Sequence, residues 1–172
     1  MKFILSILYF GLFALSSTAQ QQIIKGQVIR VLDGDTFELL LNSTKIRCRL
    51  VEIDAPELSQ PFGSQSGDSL RFLLLNQQII CQPIAHDVYQ RLLVKILEIN
   101  NQPVVLDSIL VSRGLAWSVK GWSKQGYNAD NAPIQAQARW FSRGLWKCPN
   151  PIPPWLWRHF NPSNRRKFNT CK

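Results

Sequence analysis

A small five-stranded β-barrel with about three helices, followed by an irregular C-terminal extension, is the fold class that the sequence predicts. The chain has 172 residues, which is the size of one domain. Five β-rich segments are separated by turn signals, and three further segments place apolar residues at helical spacing. Residues 147–172 contain five prolines and show no clear period. We therefore expect a mainly β, or α+β, domain over residues 20–146 and an extension over residues 147–172.

The segment before the domain is predicted to be a signal peptide, residues 1–19. Lys2 precedes an apolar run that ends at Leu15, and Ser17 and Ala19 fit a small-residue cleavage rule. A retained membrane anchor is the alternative, but the run is shorter than the roughly 20 residues of a spanning helix. We expect cleavage after Ala19, secretion or export to the periplasm, and no stable membrane association of the mature chain.

The strands and helices are predicted from periodicity and turn residues. The segments IIKGQVIRVL, TFELLLN and TKIRCRLVEI, separated by DGD and Asn42-Ser43, are typical of a meander. Two more strands are predicted at QQIICQPIA and QRLLVKILEIN. Helices are predicted at SQSGDSLRFLLLN, VVLDSILVSRGLA and APIQAQARWFSRGLW. Five strands with a helix after the third describe an OB-fold barrel.

Four cysteines in an exported chain favour two disulfides, with three possible pairings. Sequence proximity favours Cys48 with Cys81 and Cys148 with Cys171. A buried free thiol is the alternative. The chain has no close cysteine pair of the kind that binds zinc.

The net charge of +9 is concentrated at one end of the chain. Residues 20–130 hold eleven basic and eleven acidic residues, whereas residues 131–172 hold eight basic residues and no acid. A one-sided basic end indicates a polyanionic partner such as nucleic acid, and a solvated tail that aids solubility is the alternative. The extension also contains aromatic residues that stack on bases or pack against the barrel: Trp155, Trp157, Phe160 and Phe168.

Two acidic clusters, DGDT at 33–36 and DAPE at 54–57, flank the second and third predicted strands. A meander brings Asp35 and Asp54 together, and a hard cation between the two carboxylates relieves their repulsion. Ligands that are all oxygen indicate Ca²⁺, Mg²⁺ or Mn²⁺. For DGDT taken alone, an Asx-type turn is the simpler interpretation.

Two arginines complete a set suited to phosphodiester cleavage. The guanidinium groups of Arg49 and Arg91 fork onto phosphate oxygens, and Glu57 is the candidate base for an attacking water. A salt bridge to Asp87 is the alternative for Arg91. Arg49 and Asp54 are five positions apart and would face opposite sides of a regular strand, so a shared site requires a bulge or turn between them. Glu52 is left over and is predicted to be solvated.

The motifs DGDT, RLVEIDAPE, DVYQR, SRGLA and QARWFSRGLW occur in this order between about Gly26 and Trp146. In this order and spacing the chain resembles the staphylococcal-nuclease-like (thermonuclease) family. The resemblance implies an OB-fold and a Ca²⁺-dependent nuclease that acts on DNA and RNA. It also implies cleavage of the bond to the 5′ oxygen, which leaves 3′-phosphate ends.

The resemblance also implies roles for single residues. Arg49 and Arg91 would contact the scissile phosphate and Glu57 would activate the water. Calcium would be held by Asp35, Asp54 and the backbone carbonyl of Ala55. Asp33, Thr36 and Tyr89 would lie around the metal or contact the substrate.

The chain departs from the family pattern at three places. Gln90 stands where the family often has glycine, and Gln135 where it often has an acid. Lys120 and Trp122 fall near the family's nucleotide-flanking tyrosines. A catalytically inactive OB-fold module that binds nucleic acid is the second hypothesis, and the intact Arg/Glu/Arg set favours the enzyme. We expect a monomer.

Overall fold

The computed structural model describes residues 22–119, 131–168 and 171. The predicted signal peptide and the positions Lys120 and Trp122 lie outside the described residues. In the described part of the chain, no helix has the length and apolar character needed to span a bilayer.

Five long strands build the barrel, and each was predicted from the sequence. Three two-residue strands are added to them. The strands in chain order are β1 (Ile24–Val31), β2 (Thr36–Leu41), β3 (Thr44–Leu50), β4 (Ile53–Asp54), β5 (Gln78–His86), β6 (Leu92–Ile99), β7 (Gln102–Pro103) and β8 (Trp117–Ser118).

The sheet closes on itself. Its strand order is β3-β2-β1-β5-β6-β7, and β3 also pairs with β6 in parallel, from Cys48 opposite Leu92 to Leu50 opposite Val94. This closure gives a mixed five-stranded barrel, and the OB-fold prediction is confirmed. The short strand β4 leaves the barrel sheet and pairs with β8, so the chain changes direction directly after β3.

Three main helices overlap the predicted segments: α1 (Gly63–Leu74), α2 (Leu106–Ser112) and α3 (Asn131–Trp140). Both α2 and α3 end earlier than predicted. A 3₁₀ helix (Gly144–Lys147) follows. The extension contains two short helices, α4 (Pro154–Trp157) and α5 (Pro162–Phe168), and is therefore more regular than predicted.

The barrel interior is a continuous apolar core. Alternate residues of the strands point inward, among them Val28, Phe37, Leu39 and Leu50, and α1 and α2 add Leu70 and Leu110. A smaller cluster, where α3 meets the 3₁₀ helix, contains Trp117, Ala138, Leu145 and Trp146. Since the extension begins directly after this second cluster, its starting point on the domain is fixed.

Only one of the two expected disulfides is formed among the described residues. Cys148 and Cys171 are bonded, with their Cα atoms 5.3 Å apart. The expected bridge between Cys48 and Cys81 is absent, and both residues are free thiols. Both are fully buried within the apolar core, where they pack as small apolar side chains. Burial raises the pKa of each thiol to about 12, which suppresses the thiolate that disulfide exchange requires.

Candidate active site

The turn that follows β3 brings Arg49 and Asp54 to one site. β3 ends at Leu50, the chain bends at Val51 and Glu52, and β4 begins at Ile53. The turn required by the odd spacing is therefore present. Arg49 Nη2 donates to Asp54 Oδ1 at 2.6 Å.

The DGDT motif forms the Asx-type turn and also contributes to the site. Asp33 Oδ1 accepts hydrogen bonds from the backbone N–H groups of Asp35 at 3.0 Å and Thr36 at 2.8 Å. A Cβ at Gly34 would lie only 2.6 Å from the Cβ of Ala55, so glycine permits the turn to pack against the chain that follows β4. The turn thereby directs Asp35 toward Arg49, whose Nη1 donates to Asp35 Oδ1 at 2.7 Å.

Asp35 and Asp54 share one guanidinium in a buried environment. Their exposed fractions are 3% and 4%. Asp35 Oδ1 also accepts from Thr36 Oγ1 at 2.8 Å, and Asp35 Oδ2 accepts from the Ala55 N–H at 3.0 Å. Burial raises the pKa of Asp35 to about 7, against the lowering influence of Arg49. Burial also opposes the charge on Arg49, but the two aspartates outweigh it and raise the pKa of this guanidinium.

The donor set fits a hard divalent cation. Arg49 contacts Asp35 Oδ1 and Asp54 Oδ1 at once, so both oxygens lie within reach of a single positive charge. Carboxylate and carbonyl oxygens are what Ca²⁺ and Mg²⁺ prefer. Among the described residues, no group of three or more His, Cys, Asp or Glu side chains is arranged to hold a metal. Any ion here would therefore have at most two carboxylate ligands among the described side chains, those of Asp35 and Asp54.

Arg91 lies at the same site and is oriented by Asp87. Arg91 Nε donates to Asp87 Oδ2 at 2.7 Å, while Nη1 donates to Thr36 Oγ1 at 3.3 Å. The salt bridge considered as an alternative is thus formed and does not remove Arg91 from the site. Burial opposes ionisation of Asp87, but the hydrogen bonds from Arg91 and Tyr89 outweigh it and lower the pKa of this carboxyl.

The loop before Arg91 has the conformation that glycine adopts most easily. Gln90 has a left-handed φ of 62°. The neighbouring Tyr89 is exposed, and the Arg91 guanidinium carbon lies 5.5 Å from its ring centroid. Gln90 therefore keeps the turn that points Arg91 into the site.

Glu57 is held by a loop whose hydrogen bonds involve Gln60. The Glu57 N–H donates to Gln60 Oε1 at 2.8 Å, and the Gln60 N–H donates to the Glu57 carbonyl at 2.7 Å. The Glu57 side chain is 37% exposed. It is more accessible than Asp35 and Asp54, and a general base must be accessible to the water from which it accepts a proton.

Arg158 is a site residue that the sequence analysis did not identify. Its Nη1 donates to Glu57 Oε1 at 2.7 Å, and its Nη2 donates to Asp54 Oδ2 at 3.1 Å. Burial works against its charge, but Glu57 and Asp54 outweigh it and raise its pKa. The basic charge of the extension was the one available signal, and it did not indicate which residue reaches the acids.

Glu52 is not the solvated residue that was expected. Its side chain is 12% exposed and accepts a hydrogen bond from Lys95 Nζ at 3.0 Å. It also contacts the buried Asp107, whose pKa is raised to about 7 by burial and by the charge of Glu52. The bend after β3 sends Glu52 and Asp54 to two different carboxylate pairs.

A single cleft of about 690 Å³ joins the site residues. Predicted residues and residues of the extension line it together. Five carboxylates and four arginines face it, which are Asp33, Asp35, Asp54, Glu57, Asp87, Arg47, Arg49, Arg91 and Arg158. Fixed guanidinium groups beside oxygen ligands and an accessible carboxylate are suited to binding and cleaving a phosphodiester.

Comparison with known proteins agrees with this chemistry. The family described as "Staphylococcal nuclease homologue" matches residues 47–148. The chain belongs to this family. The match includes Arg49, Asp54, Glu57 and Arg91 and ends before Arg158.

Relatives in this staphylococcal nuclease family cover most of the chain. An "Uncharacterized endonuclease" from Escherichia coli O157:H7 is 37% identical over 138 residues, which are 79% of this chain and 86% of the relative. A "Micrococcal nuclease" from Shigella flexneri is 35% identical over 140 residues, 78% and 80% of the two chains. An "Uncharacterized endonuclease" from Haemophilus influenzae is 36% identical over 135 residues, 77% and 71%. Nuclease activity is the function that these relatives support.

Proposed function

We propose that the mature protein is an exported, Ca²⁺-dependent nuclease. It hydrolyses phosphodiester bonds of DNA and RNA on the 5′-oxygen side and leaves 3′-phosphate ends. The observation that supports this most strongly is the convergence of two phosphate-binding groups, Arg49 and Arg91, with Glu57 and the buried pair Asp35 and Asp54 on one cleft.

The proposed reaction assigns a task to each group. Arg49 and Arg91 bind the non-bridging phosphate oxygens and oppose the negative charge that develops on them. Glu57 accepts the proton of a water whose oxygen forms the new bond to phosphorus. The bond from phosphorus to the 5′ oxygen breaks, and that oxygen takes a proton from solvent as it leaves. Asp35, Asp54 and the Ala55 carbonyl would hold Ca²⁺, which when bound polarises the phosphate.

Export is supported by the N-terminal pattern and by the cysteines. Residues 1–19 have the order of a signal peptide. The Cys148–Cys171 disulfide is of the kind that persists in oxidising compartments. The expected location is therefore the periplasm or the medium.

A nucleic-acid-binding module without catalysis is the second candidate. The observation in its favour is the ion pair between Arg158 and Glu57, since it occupies an oxygen of the carboxylate that would accept the water proton. Both candidates bind nucleic acid, and only the first one cleaves it.

The deciding experiment measures cleavage by the mature chain, residues 20–172. Single-stranded DNA, double-stranded DNA and RNA are each incubated with Ca²⁺, with Mg²⁺ and with a chelator. We expect cleavage with Ca²⁺, none with chelator, and product ends that phosphatase converts from 3′-phosphate to 3′-hydroxyl. Cleavage that continues in chelator would exclude the metal-dependent mechanism. Binding without cleavage under every condition would support the binding module instead.

A further inference from the structure

The helix α4 of the extension has two distinct faces. Pro154 starts the helical turn, a position where the missing N–H costs nothing. Trp157 points inward, is 1% exposed and donates from Nε1 to Ser59 Oγ at 3.1 Å. Trp155 and Arg158 are three residues apart, so they lie on a common side of the turn, and both line the cleft.

The extension is attached to the loop that contains Glu57. Gln60 Nε2 donates to the Ile152 carbonyl at 3.0 Å, and Gln60 also binds the backbone N–H of Glu57. The Cys148–Cys171 disulfide ties the two ends of the extension together. Trp155 and Arg158 are thus held in fixed relation to the candidate base.

We propose that the extension supplies a nucleotide subsite next to the scissile position, in which Arg158 binds a substrate phosphate and Trp155 stacks on the adjacent base. This subsite rests on the proposed nuclease function. It gives the C-terminal extension a specific task in substrate recognition. Trp155 and Arg158 lie after residue 148, where the match to the family ends.

Arg158 has the geometry of a phosphate ligand. Its guanidinium already spans two carboxylates with its two terminal nitrogens, which is the same fork that engages two phosphate oxygens. Its side chain is 44% exposed, so substrate reaches it directly. When a divalent cation neutralises Asp54, the attraction that holds Arg158 on that carboxylate weakens.

The charge of the cleft also favours this assignment. Among the lining residues that the structure describes, four arginines against five carboxylates give a formal charge of −1. A divalent cation changes this to +1, whereas without Arg158 the metal-loaded cleft would be neutral. A phosphodiester carries one negative charge and gains more during attack, so the guanidinium of Arg158 supplies the excess positive charge that the substrate requires.

Trp155 has an exposed stacking surface, and its ring is held in place by a contact with Trp117. Its ring centroid lies 5.7 Å from that of Trp117 at an interplanar angle of 72°, so the contact is edge to face. The side chain remains 46% exposed at the cleft. A braced and partly exposed indole is the kind of platform on which an unpaired base stacks. The preferred substrate of this subsite is therefore single-stranded.

The test uses the mature chain and a fluorescently labelled single-stranded oligonucleotide. Trp155→Ala and Arg158→Gln are compared with two matched controls, Trp140→Ala and Arg166→Gln, which remove an exposed indole and an exposed charge away from the cleft. Affinity is measured by fluorescence anisotropy with Ca²⁺ on an oligonucleotide whose phosphorothioate linkages resist cleavage, because the cation weakens the hold of Asp54 on Arg158. KM and kcat are measured with Ca²⁺ on oligonucleotides of increasing length, and Ca²⁺ affinity is measured by calorimetry.

We expect each cleft variant to weaken oligonucleotide binding roughly tenfold and to raise KM by a similar factor. The controls stay within about twofold. The penalty of Trp155→Ala should appear only when the oligonucleotide is long enough to place a base there. A variant that merely loosened the fold would impair all lengths equally and lower the melting temperature.

Two results would overturn the subsite. In one, both cleft variants match their controls while the wild type binds and cleaves. In the other, Arg158→Gln tightens Ca²⁺ binding and raises kcat/KM, which would make Arg158 an autoinhibitory contact. A wild type that binds oligonucleotide through Trp155 and Arg158 but never cleaves it would uphold the subsite and refute the nuclease. A wild type that binds no nucleic acid would refute both.

Discussion

Two carboxylate pairs lie on either side of the bend after β3, and they differ in what surrounds them. Asp54 joins Asp35 beneath Arg49, whereas Glu52 joins Asp107 beside Lys95. In each pair, one buried aspartate (Asp35 in the first, Asp107 in the second) has its pKa raised to about 7. A perturbed pKa by itself therefore does not distinguish a reactive site from a structural ion-pair network.

The arginines and the cleft distinguish the two pairs. Asp35 and Asp54 face a cleft with several forked guanidinium groups, whereas Glu52 and Asp107 are not among the residues that line it. Lys95 is a point charge without a planar fork. We infer that the first pair is arranged for an ion and a phosphate, and that the second pair fastens α2 to the bend.

The largest expected effect is a loss of cleavage activity when a carboxylate beside the first pair, but not one in the second pair, is replaced. Glu57→Gln should reduce kcat about 10³-fold with nearly unchanged oligonucleotide binding, because it removes the group that accepts the water proton. Glu52→Gln is the matched control, since it makes the same chemical change in the second pair, whereas Glu57 lies beside the first pair in the cleft. Steady-state cleavage of single-stranded DNA measures both. Equal losses in the two variants would contradict the division of roles.

The arginine fork should produce the next largest difference. Arg49→Lys keeps the charge but loses the bidentate contact to Asp35 and Asp54, so we expect kcat/KM to fall roughly 10²-fold. Lys95→Gln, which removes the cation of the other pair, should leave kcat/KM within about twofold. If Lys95→Gln proved as damaging as Arg49→Lys, the site would extend across the bend.

Both pairs should contribute to the pH dependence of stability, and a substitution at Asp107 isolates the contribution of the second pair. Because the pKa of Asp107 is raised in the folded state, the folded protein binds a proton more tightly than the unfolded chain. The free energy of unfolding should therefore fall as pH rises from about 4 to about 7. Asp107→Asn removes this titration and should gain roughly 2 kcal/mol relative to wild type between pH 5 and pH 8.

Urea unfolding in chelator at the two pH values measures this gain. Glu52 and Lys95 face Asp107 and are retained in both proteins, so the comparison changes Asp107 alone. A difference between the two proteins that stays constant with pH would show that Asp107 is ionised throughout.

Release of the extension should have the smallest effect. It should change the surroundings of Asp35 and Asp54 but not those of Glu52 and Asp107. Replacing Cys148 and Cys171 together by Ser frees the end of the extension and loosens the hold on Arg158, so oligonucleotide affinity should fall by up to about tenfold. The part of the pH dependence that Asp107 contributes should stay as in wild type, because Asp107 lies in α2 and Glu52 in the bend after β3, whereas the disulfide closes the extension. A changed pH dependence would show that the two regions are coupled.

Local patterns were sufficient for the barrel. β-rich composition and turn residues predicted β1, β2, β5 and β6 within about two residues. The helices were located less closely, since α2 and α3 end several residues before the predicted segments do. The sequence could not decide whether Cys48 and Cys81 form a disulfide. A cysteine among apolar residues is compatible with a disulfide and with a buried free thiol, and the structure has two free thiols.

The site was predictable where it depends on the backbone path of the meander. Thr36 and Arg49 are register partners across β2 and β3, so Asp35 and Arg49 are neighbours once the strands are known. The direction of side chains beyond the strand end was not predictable. Glu52 was predicted to be solvated and is instead drawn into the contact with Lys95 and Asp107.

By itself the sequence determined the barrel, its helices, and the order of Asp35, Arg49, Asp54, Glu57 and Arg91 along the chain, because these features rest on short-range periodicity and on spacing. Only the tertiary structure decided that the bend after β3 splits neighbouring acids between two pairs, and that Arg158 reaches Glu57. That contact spans 101 positions. It depends on where a proline-rich segment docks, which no local pattern encodes, since docking is decided by surfaces that exist only after the barrel has folded.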